Sequence, residues 1–396
     1  MKEIRLGLTY NDVLLVPKKT PLNSRKEAEI KSRFTKNIKL NTPLVSANMA
    51  TVTEHKMAIA MARNGGIGII HQFNTIEEQV DEVKKVKRST SYIIEEPLSV
   101  TENITIGEAI QIMKTRSVTS LLVIRGEELI GIFTSRDYLF EKDLSKPITM
   151  VMTPKERLIT ATYGIGMEEA KRILFQHRIE KLPLLENGRL QGLITTKDIH
   201  KLEAWSNACR DGKGRLRVGA AVGVKDTLER SSALVNAGCD VIILDIAHCH
   251  SELAIQRIKE FKERFPNIDI MAGNIATASA ALDLIKAGAD GLKVGIGPSP
   301  VCTTRIISGS GVPQFTALLD VCSVAKEFGV PVTADGGIKF PGDVSKAIAA
   351  GASSIYSGSL FAGTDEAPGM IIMKDGKRYK RYMGSASYES NHERKE

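Results

Sequence analysis

Residues 291–314 read GLKVGIGPSPVCTTRIISGSGVPQ, and the fold turns on this stretch. Leu292, Val294 and Ile296 mark a buried strand. The chain then breaks into a loop carrying Gly295, Gly297, Pro298, Ser299 and Pro300, which delivers Cys302 with Thr303, Thr304 and Arg305 directly behind it. Glycine and proline at the end of a strand let the backbone aim one side chain at a ligand, as a helix interior does not. A thiolate held this way attacks electron-poor carbon, and a neighbouring hydroxyl can relay a proton. The bland reading stays open here, because most cysteines are simply small buried residues and a lone one carries little information.

Outward from this strand the chain repeats one rhythm. Apolar strands are predicted at Pro43–Ala47, Gly65–Ile70, Arg217–Val222, Val241–Asp245, Ile268–Asn274, Gly291–Ile296, Pro331–Asp335 and Ser353–Ser357. Helices alternate with them, for instance Ile76–Lys87 with Ile76, Val80, Val83 and Val86 on one face, and Ala278–Ala287 and Val344–Ala350, each closed by glycine. Apolar strands separated by helices predict a parallel sheet buried on both faces. Eight such units predict an α/β (β/α)8 TIM barrel, with its chemistry on the loops at the C-terminal ends of the strands. Asp245, Asn274, Cys302, Asp335 and the Gly358-Ser359 pair all fall at those ends. Gly336, Gly337 and Gly358 follow strands seven and eight, where backbone N–H groups can approach a phosphate.

The rhythm is interrupted between residues 93 and 204. GIFTSRD (Gly131–Asp137) and GLITTKD (Gly192–Asp198) are two copies of GxxTxxD, 61 residues apart, each preceded by a helix and two short strands. Such a repeat is one supersecondary unit used twice and packed as a pair. The chain therefore divides into 1–92 (barrel, first part), 93–204 (inserted module) and 205–396 (barrel, second part). Thr134 with Asp137, and Thr195 with Asp198, could bind a nucleotide or simply cap helices.

Composition bounds the function. Charged residues are 25%, hydrophobics 42%, aromatics 5% and the net charge is +8, spread in short runs such as Lys374–Arg381. A basic stripe interleaved with aromatics is missing, so nucleic acid is not an expected partner, and no apolar run spans a membrane. Five cysteines without CxxC spacing and an N-terminus without an apolar leader point to a cytoplasmic chain with reduced thiols. His71 reads as a loop residue rather than a base. His248-Cys249-His250 reads poorly as a zinc site, since adjacent residues cannot easily converge on one ion.

GxGPxxxCTTR, LTYNDVLLVP and PLVSANM-TVTE resemble the inosine monophosphate dehydrogenase and guanosine monophosphate reductase family. The insert resembles a tandem CBS (Bateman) pair. The resemblance implies that Cys302 adds to C2 of a purine nucleotide, IMP or GMP, with Thr304 and Glu366 moving protons. It implies that Met49 packs on the base, Asp335 holds the ribose hydroxyls, Gly337, Gly358 and Ser359 hold the phosphate and Tyr382 binds substrate, while Ser299, where the family has Gly, could replace a lost phosphate donor. Asp245, Asn274 and Gly295 would face NAD (NADPH in the reductase), and carbonyls of Gly297 and Cys302 would hold a potassium ion. Thr134, Asp137, Thr195 and Asp198 would bind adenine or guanine nucleotides. A homotetramer or octamer is the implied assembly.

Departures accompany the matches. Ala50 stands where the family has Asp, Asn48 is more typical of the reductase branch, Pro300 replaces a phosphate-binding Ser, and Cys249 replaces a Gly. The expected flap with its Arg-Tyr pair, the last barrel helix and the cation-binding segment do not follow the YMGSAS segment. The expected function is oxidation of IMP to XMP with NAD. Two alternatives are reduction of GMP to IMP and ammonia with NADPH, and a catalytically impaired nucleotide sensor.

Overall fold

The computed structural model describes residues 4–89, 93–95, 97–116, 118–299 and 301–384, with backbone alone at Lys201 and Leu202; Pro300 and the end of the YMGSAS segment lie outside the described residues. Contacts separate the chain into two units, residues 1–89 with 207–396, and residues 90–206.

In the first unit eight parallel strands close on themselves: β1 (Leu44–Ser46), β2 (Ile67–Ile70), β3 (Val218–Val222), β4 (Val241–Asp245), β5 (Asp269–Ile275), β6 (Gly291–Val294), β7 (Val332–Asp335) and β8 (Ser354–Ser357). Ser357 pairs with Ser46 to complete the ring. Helices follow in alternation: α1 (His55–Arg63), α2 (Ile76–Ser89), α3 (Thr227–Asn236), α4 (Glu252–Arg264), α5 (Ala278–Lys286), the short α6 (Thr304–Ile307), α7 (Gln314–Glu327) and α8 (Pro341–Ala349).

Side chains alternate across each strand, so every strand feeds two cores. Ile242, Leu244, Leu292, Val294, Val332, Ala334 and Ile355 face the helices and pack with residues such as Leu318 and Val321 of α7. Val45, Ile67, Ile69, Val241, Ile243, Met271 and Tyr356 face the lumen, where Phe34, Ile38 and Leu40 from the N-terminal segment join them. Alternation has one consequence for chemistry. The residues in step with the lumen at the strand ends are Asp245, Lys293 and Asp335.

The second unit holds the repeat. Helix Ile106–Thr115 precedes strands Ser120–Arg125 and Glu128–Thr134, and helix Met167–His177 precedes strands Lys181–Glu186 and Arg189–Thr195. Each pair is antiparallel, and the two meet where Arg189 pairs with Glu128 in one mixed sheet. Each repeat buries its own core, around Leu184 and Phe133 respectively, and Leu122, Leu129, Ile132 and Leu193 bridge the two. Among the described residues no helix is long and apolar enough to cross a membrane.

Candidate active site

The strand ends deliver a closed polar network to the floor of a cavity of about 370 Å³. Lys293, only 3% exposed, donates to Asp245 Oδ1 at 2.6 Å, to Asp335 Oδ2 at 3.1 Å and to Asn274 Oδ1. Its ammonium lies 5.0 Å from the centre of the Tyr356 ring, within cation–π range. Burial pulls the pKa of this ammonium down, but Asp245 and Asp335 outweigh burial and the net shift is upward, so Lys293 is a cation. Asn274 Nδ2 donates to Asp335 Oδ2 at 2.8 Å and to the Gly295 carbonyl at 2.6 Å. On the other side Asn48 Nδ2 donates to Asp245 Oδ2 at 2.7 Å, and the Tyr356 hydroxyl donates to Asn48 Oδ1 at 2.7 Å.

Above this floor the loop after β6 carries the thiol. Gly295 sits where any Cβ would collide with the Asp335 carbonyl, so only glycine lets β6 turn off this closely against β7. Gln314 pins the same turn from α7, donating to the carbonyls of Val294 at 2.8 Å and Asp335 at 3.2 Å. Cys302 then lines the cavity, partly exposed, with its Sγ 3.3 Å from Thr304 Oγ1. The other four thiols are buried, and burial pushes Cys209 up to about 11 and Cys239, Cys249 and Cys322 up to about 12. Of the five thiols only Cys302 is accessible from the cavity, as attack on a ligand requires.

The remaining wall comes from β1, β7, β8 and the C-terminal segment. Gly336 and Gly337 have φ of +86° and +79°, and while the Gly336 N–H donates to the Tyr356 carbonyl at 3.4 Å, the turn brings the Gly337 backbone to the cavity wall. Met49, Gly358, Ser359 and Tyr382 line the cavity beside them, together with Ser299 and Gly297. Tyr382 hydrogen-bonds with Ser299, and burial pushes its phenol up to about 12.

The structure thus gathers all the expected barrel residues except one. Glu366 is exposed in the turn after β8 and does not line the cavity, because that turn buries Ala367 and Ala362 and leaves Asp365 and Glu366 outward. This placement does not support the expected part of Glu366 in moving protons with Thr304. Cys249 packs into the core and His250 pairs with Asp283 at 2.9 Å, and among the described residues no His/Cys/Asp/Glu group converges as a metal site. In the second unit Thr134 donates to Asp137 Oδ2 through its N–H (2.6 Å) and its hydroxyl (2.9 Å), and the Thr195 hydroxyl donates to Asp198 at 2.6 Å. These are the contacts of local caps, and only the second copy opens a helix, at Thr196.

Sequence reasoning missed Lys293. The signal was present: a lysine between Leu292 and Val294, in a strand buried on both faces, must project into the lumen and find carboxylates there.

A thiol loop over an ionic floor, at the C-terminal mouth of a parallel (β/α)8 barrel, is the layout of a barrel-class enzyme. The family model described as IMP dehydrogenase / GMP reductase domain matches residues 7–396. The inosine-5'-monophosphate dehydrogenase of Nitrosopumilus maritimus is 51% identical over 388 residues, covering 97% of this chain and 81% of the relative. That of Aquifex aeolicus is 50% identical, covering 98% and 79%. Among solved structures, GMP reductase from Trypanosoma brucei in complex with guanosine 5'-monophosphate is 44% identical with a TM-score of 0.87, covering 99% of this chain and 84% of that chain. The chain belongs to the IMP dehydrogenase / GMP reductase family.

Proposed function

We propose that this chain oxidises IMP to XMP with NAD. The carrying observation is the accessible Cys302 thiol on its glycine loop, beside Thr304 and above the Lys293 floor. The Cys302 thiolate adds to C2 of the purine, forming a C–S bond. The hydride at C2 then passes with its electron pair to the nicotinamide of NAD, which is reduced while C2 is oxidised. Water adds to C2, the C–S bond breaks, and XMP leaves with the thiol restored.

The chain's own residues prepare each step. Asp335, fixed by Lys293 and Asn274, accepts from ribose hydroxyls. The N–H groups at Gly337 and Gly358 and the Ser359 hydroxyl receive the phosphate, with Ser299 and Tyr382 beside them, and Met49 packs on the base. Asp245 and Asn274, with Gly295 between them and the thiol loop, orient the nicotinamide half of NAD. Thr304 moves the proton at the thiol. The carbonyls of Gly297 and Cys302, hard neutral oxygens, are the donor chemistry potassium takes, and the ion would stiffen the loop.

A second reading, reduction of GMP with NADPH, is favoured by Asn48 on Asp245 and by the likeness to a GMP reductase structure. The same thiol would then displace ammonia from C2 before hydride arrives. Absorbance at 340 nm decides: a rise with IMP and NAD supports the first reading, and a fall with GMP and NADPH replaces it with the second. Silence in both assays leaves the nucleotide sensor. The Thr134/Asp137 and Thr195/Asp198 pairs are proposed to take adenine or guanine nucleotides. A tetramer or octamer is proposed with family membership as its only support, and light scattering measures it.

A further inference from the structure

Lys293 lies on the cavity floor between Asp245 and Asp335, and its bonding leaves it no spare donor. An ammonium has three N–H groups. They are matched by three acceptors: Asp245 Oδ1, Asp335 Oδ2 and Asn274 Oδ1. The Tyr356 ring covers a fourth side. Lys293 is therefore unable to hold substrate itself and acts through the groups it binds.

Those groups come from separate strands. Asp245 ends β4, Asn274 lies on β5 and Asp335 ends β7. Asp335 is 23% exposed and Asp245 17%, so each still offers a surface to the cavity. Among the described residues Asp335 Oδ1 receives no hydrogen bond, which leaves it for a ligand hydroxyl. Two carboxylates and one ammonium give the floor a formal charge of −1. Without the ammonium the carboxylates would face one another with only Asn48 and Asn274 as donors, and a buried charge stripped of its partner is strongly unfavourable.

We propose that Lys293 is a positioning residue on which mononucleotide binding and dinucleotide binding both depend, by serving as the one shared cation of Asp335 and Asp245. This rests on the assignment of Asp335 to the nucleotide ribose and Asp245 to the nicotinamide side. A residue that merely fills the lumen would affect stability or turnover. A shared cation affects both affinities at once.

The test uses the full chain and four variants: Asp335→Asn, Asp245→Asn, Lys293→Met and the pair Lys293→Met/Asp245→Asn. Asp335→Asn is expected to raise KM for IMP by about 10-fold with little change for NAD, and Asp245→Asn to do the reverse. Lys293→Met is expected to raise both KM values by at least roughly 10-fold. The paired variant restores the floor to a charge of −1, so its KM for IMP returns toward wild type while that for NAD stays high. It also keeps the test open if Lys293→Met fails to fold. The proposal is overturned if Lys293→Met changes one KM only or kcat only, or if the paired variant is no better than Lys293→Met toward IMP. Calorimetric titration of IMP and of NAD, each alone, reads the same pattern without turnover. An inactive wild type would thus count against the proposed reaction while the titrations still decide the role of Lys293.

Discussion

Sγ of Cys302, on the loop after β6, and Oγ1 of Thr304, the first residue of α6, stand 3.3 Å apart. A nucleophile and a hydroxyl at this separation act as a unit. Cys302→Ala is expected to abolish turnover and leave mononucleotide affinity within about 3-fold, since the phosphate and ribose contacts lie elsewhere. Thr304→Ala lowers kcat by roughly 10² with a small change in KM, the size of a lost proton-transfer partner. Steady-state kinetics and calorimetric titration of the two variants check this, and retained activity in Cys302→Ala would reject covalent chemistry.

Alkylation should find one thiol. Cys209, Cys239, Cys249 and Cys322 are buried and Cys302 is partly exposed. Brief iodoacetamide treatment of the folded chain near neutral pH is expected to give a single adduct on Cys302, slowed by bound mononucleotide. Peptide mass mapping reads the position, and labelling spread over several thiols would contradict the burial pattern.

The same burial makes the fold sensitive to alkali. Each buried thiol has its pKa raised in the folded chain, to about 11 for Cys209 and about 12 for the other three. In the unfolded chain a thiol loses its proton near 8.5. Between those values the unfolded state binds fewer protons than the folded one, so stability is intact below the unfolded value and falls as pH rises toward the folded one. The loss is at most about 1.4 kcal/mol per pH unit for each thiol. Urea unfolding at pH 8 and pH 10 is expected to show a lower midpoint at pH 10, with a smaller drop in Cys239→Ala.

Away from the catalytic face, Lys87 is 4% exposed and bonds Asp240 at 2.6 Å and Asp211 at 3.0 Å. Lys87→Met strands Asp240 in the interior, while Asp211 keeps Arg215 at 3.0 Å, and about 3 kcal/mol of stability is expected to go. Adding Asp240→Asn should recover part of it. Denaturant titration measures both, and a loss below about 1 kcal/mol for Lys87→Met would show that the pair is solvated.

In the inserted module, Asp137→Ala with Asp198→Ala is expected to weaken ATP or GTP binding by at least roughly 10-fold. The basal reaction in the absence of effector should be unchanged. Equilibrium dialysis with labelled nucleotide decides, and undiminished binding would leave both aspartates as caps of their own threonines.

The barrel was legible because its strands are buried on both faces and its helices end at glycine. Each predicted strand lies within a residue or two of the observed one, as Val241–Asp245 illustrates. The thiol loop was legible from its glycines and prolines. Lys293 was not, because Leu292 and Val294 mark the helix-facing side of β6 and the residue between them was passed over. Asn48 stood out as a departure, but its partner Asp245 is 197 residues away and only the closed ring brings them together. Glu366 was placed by likeness of motif, and a motif does not say which way a turn rolls. Here the alanines of that turn took the buried side.

The covalent step is tested most directly by trapping it. The full chain, mixed with NAD and purine-labelled IMP and quenched in acid within one turnover, is digested and its labelled peptides are mapped. Up to one label per chain on the peptide carrying Cys302, absent without NAD and absent in Cys302→Ala, is the predicted result. Turnover in the same mixture with no label on that peptide, or with label on another residue, would contradict the account.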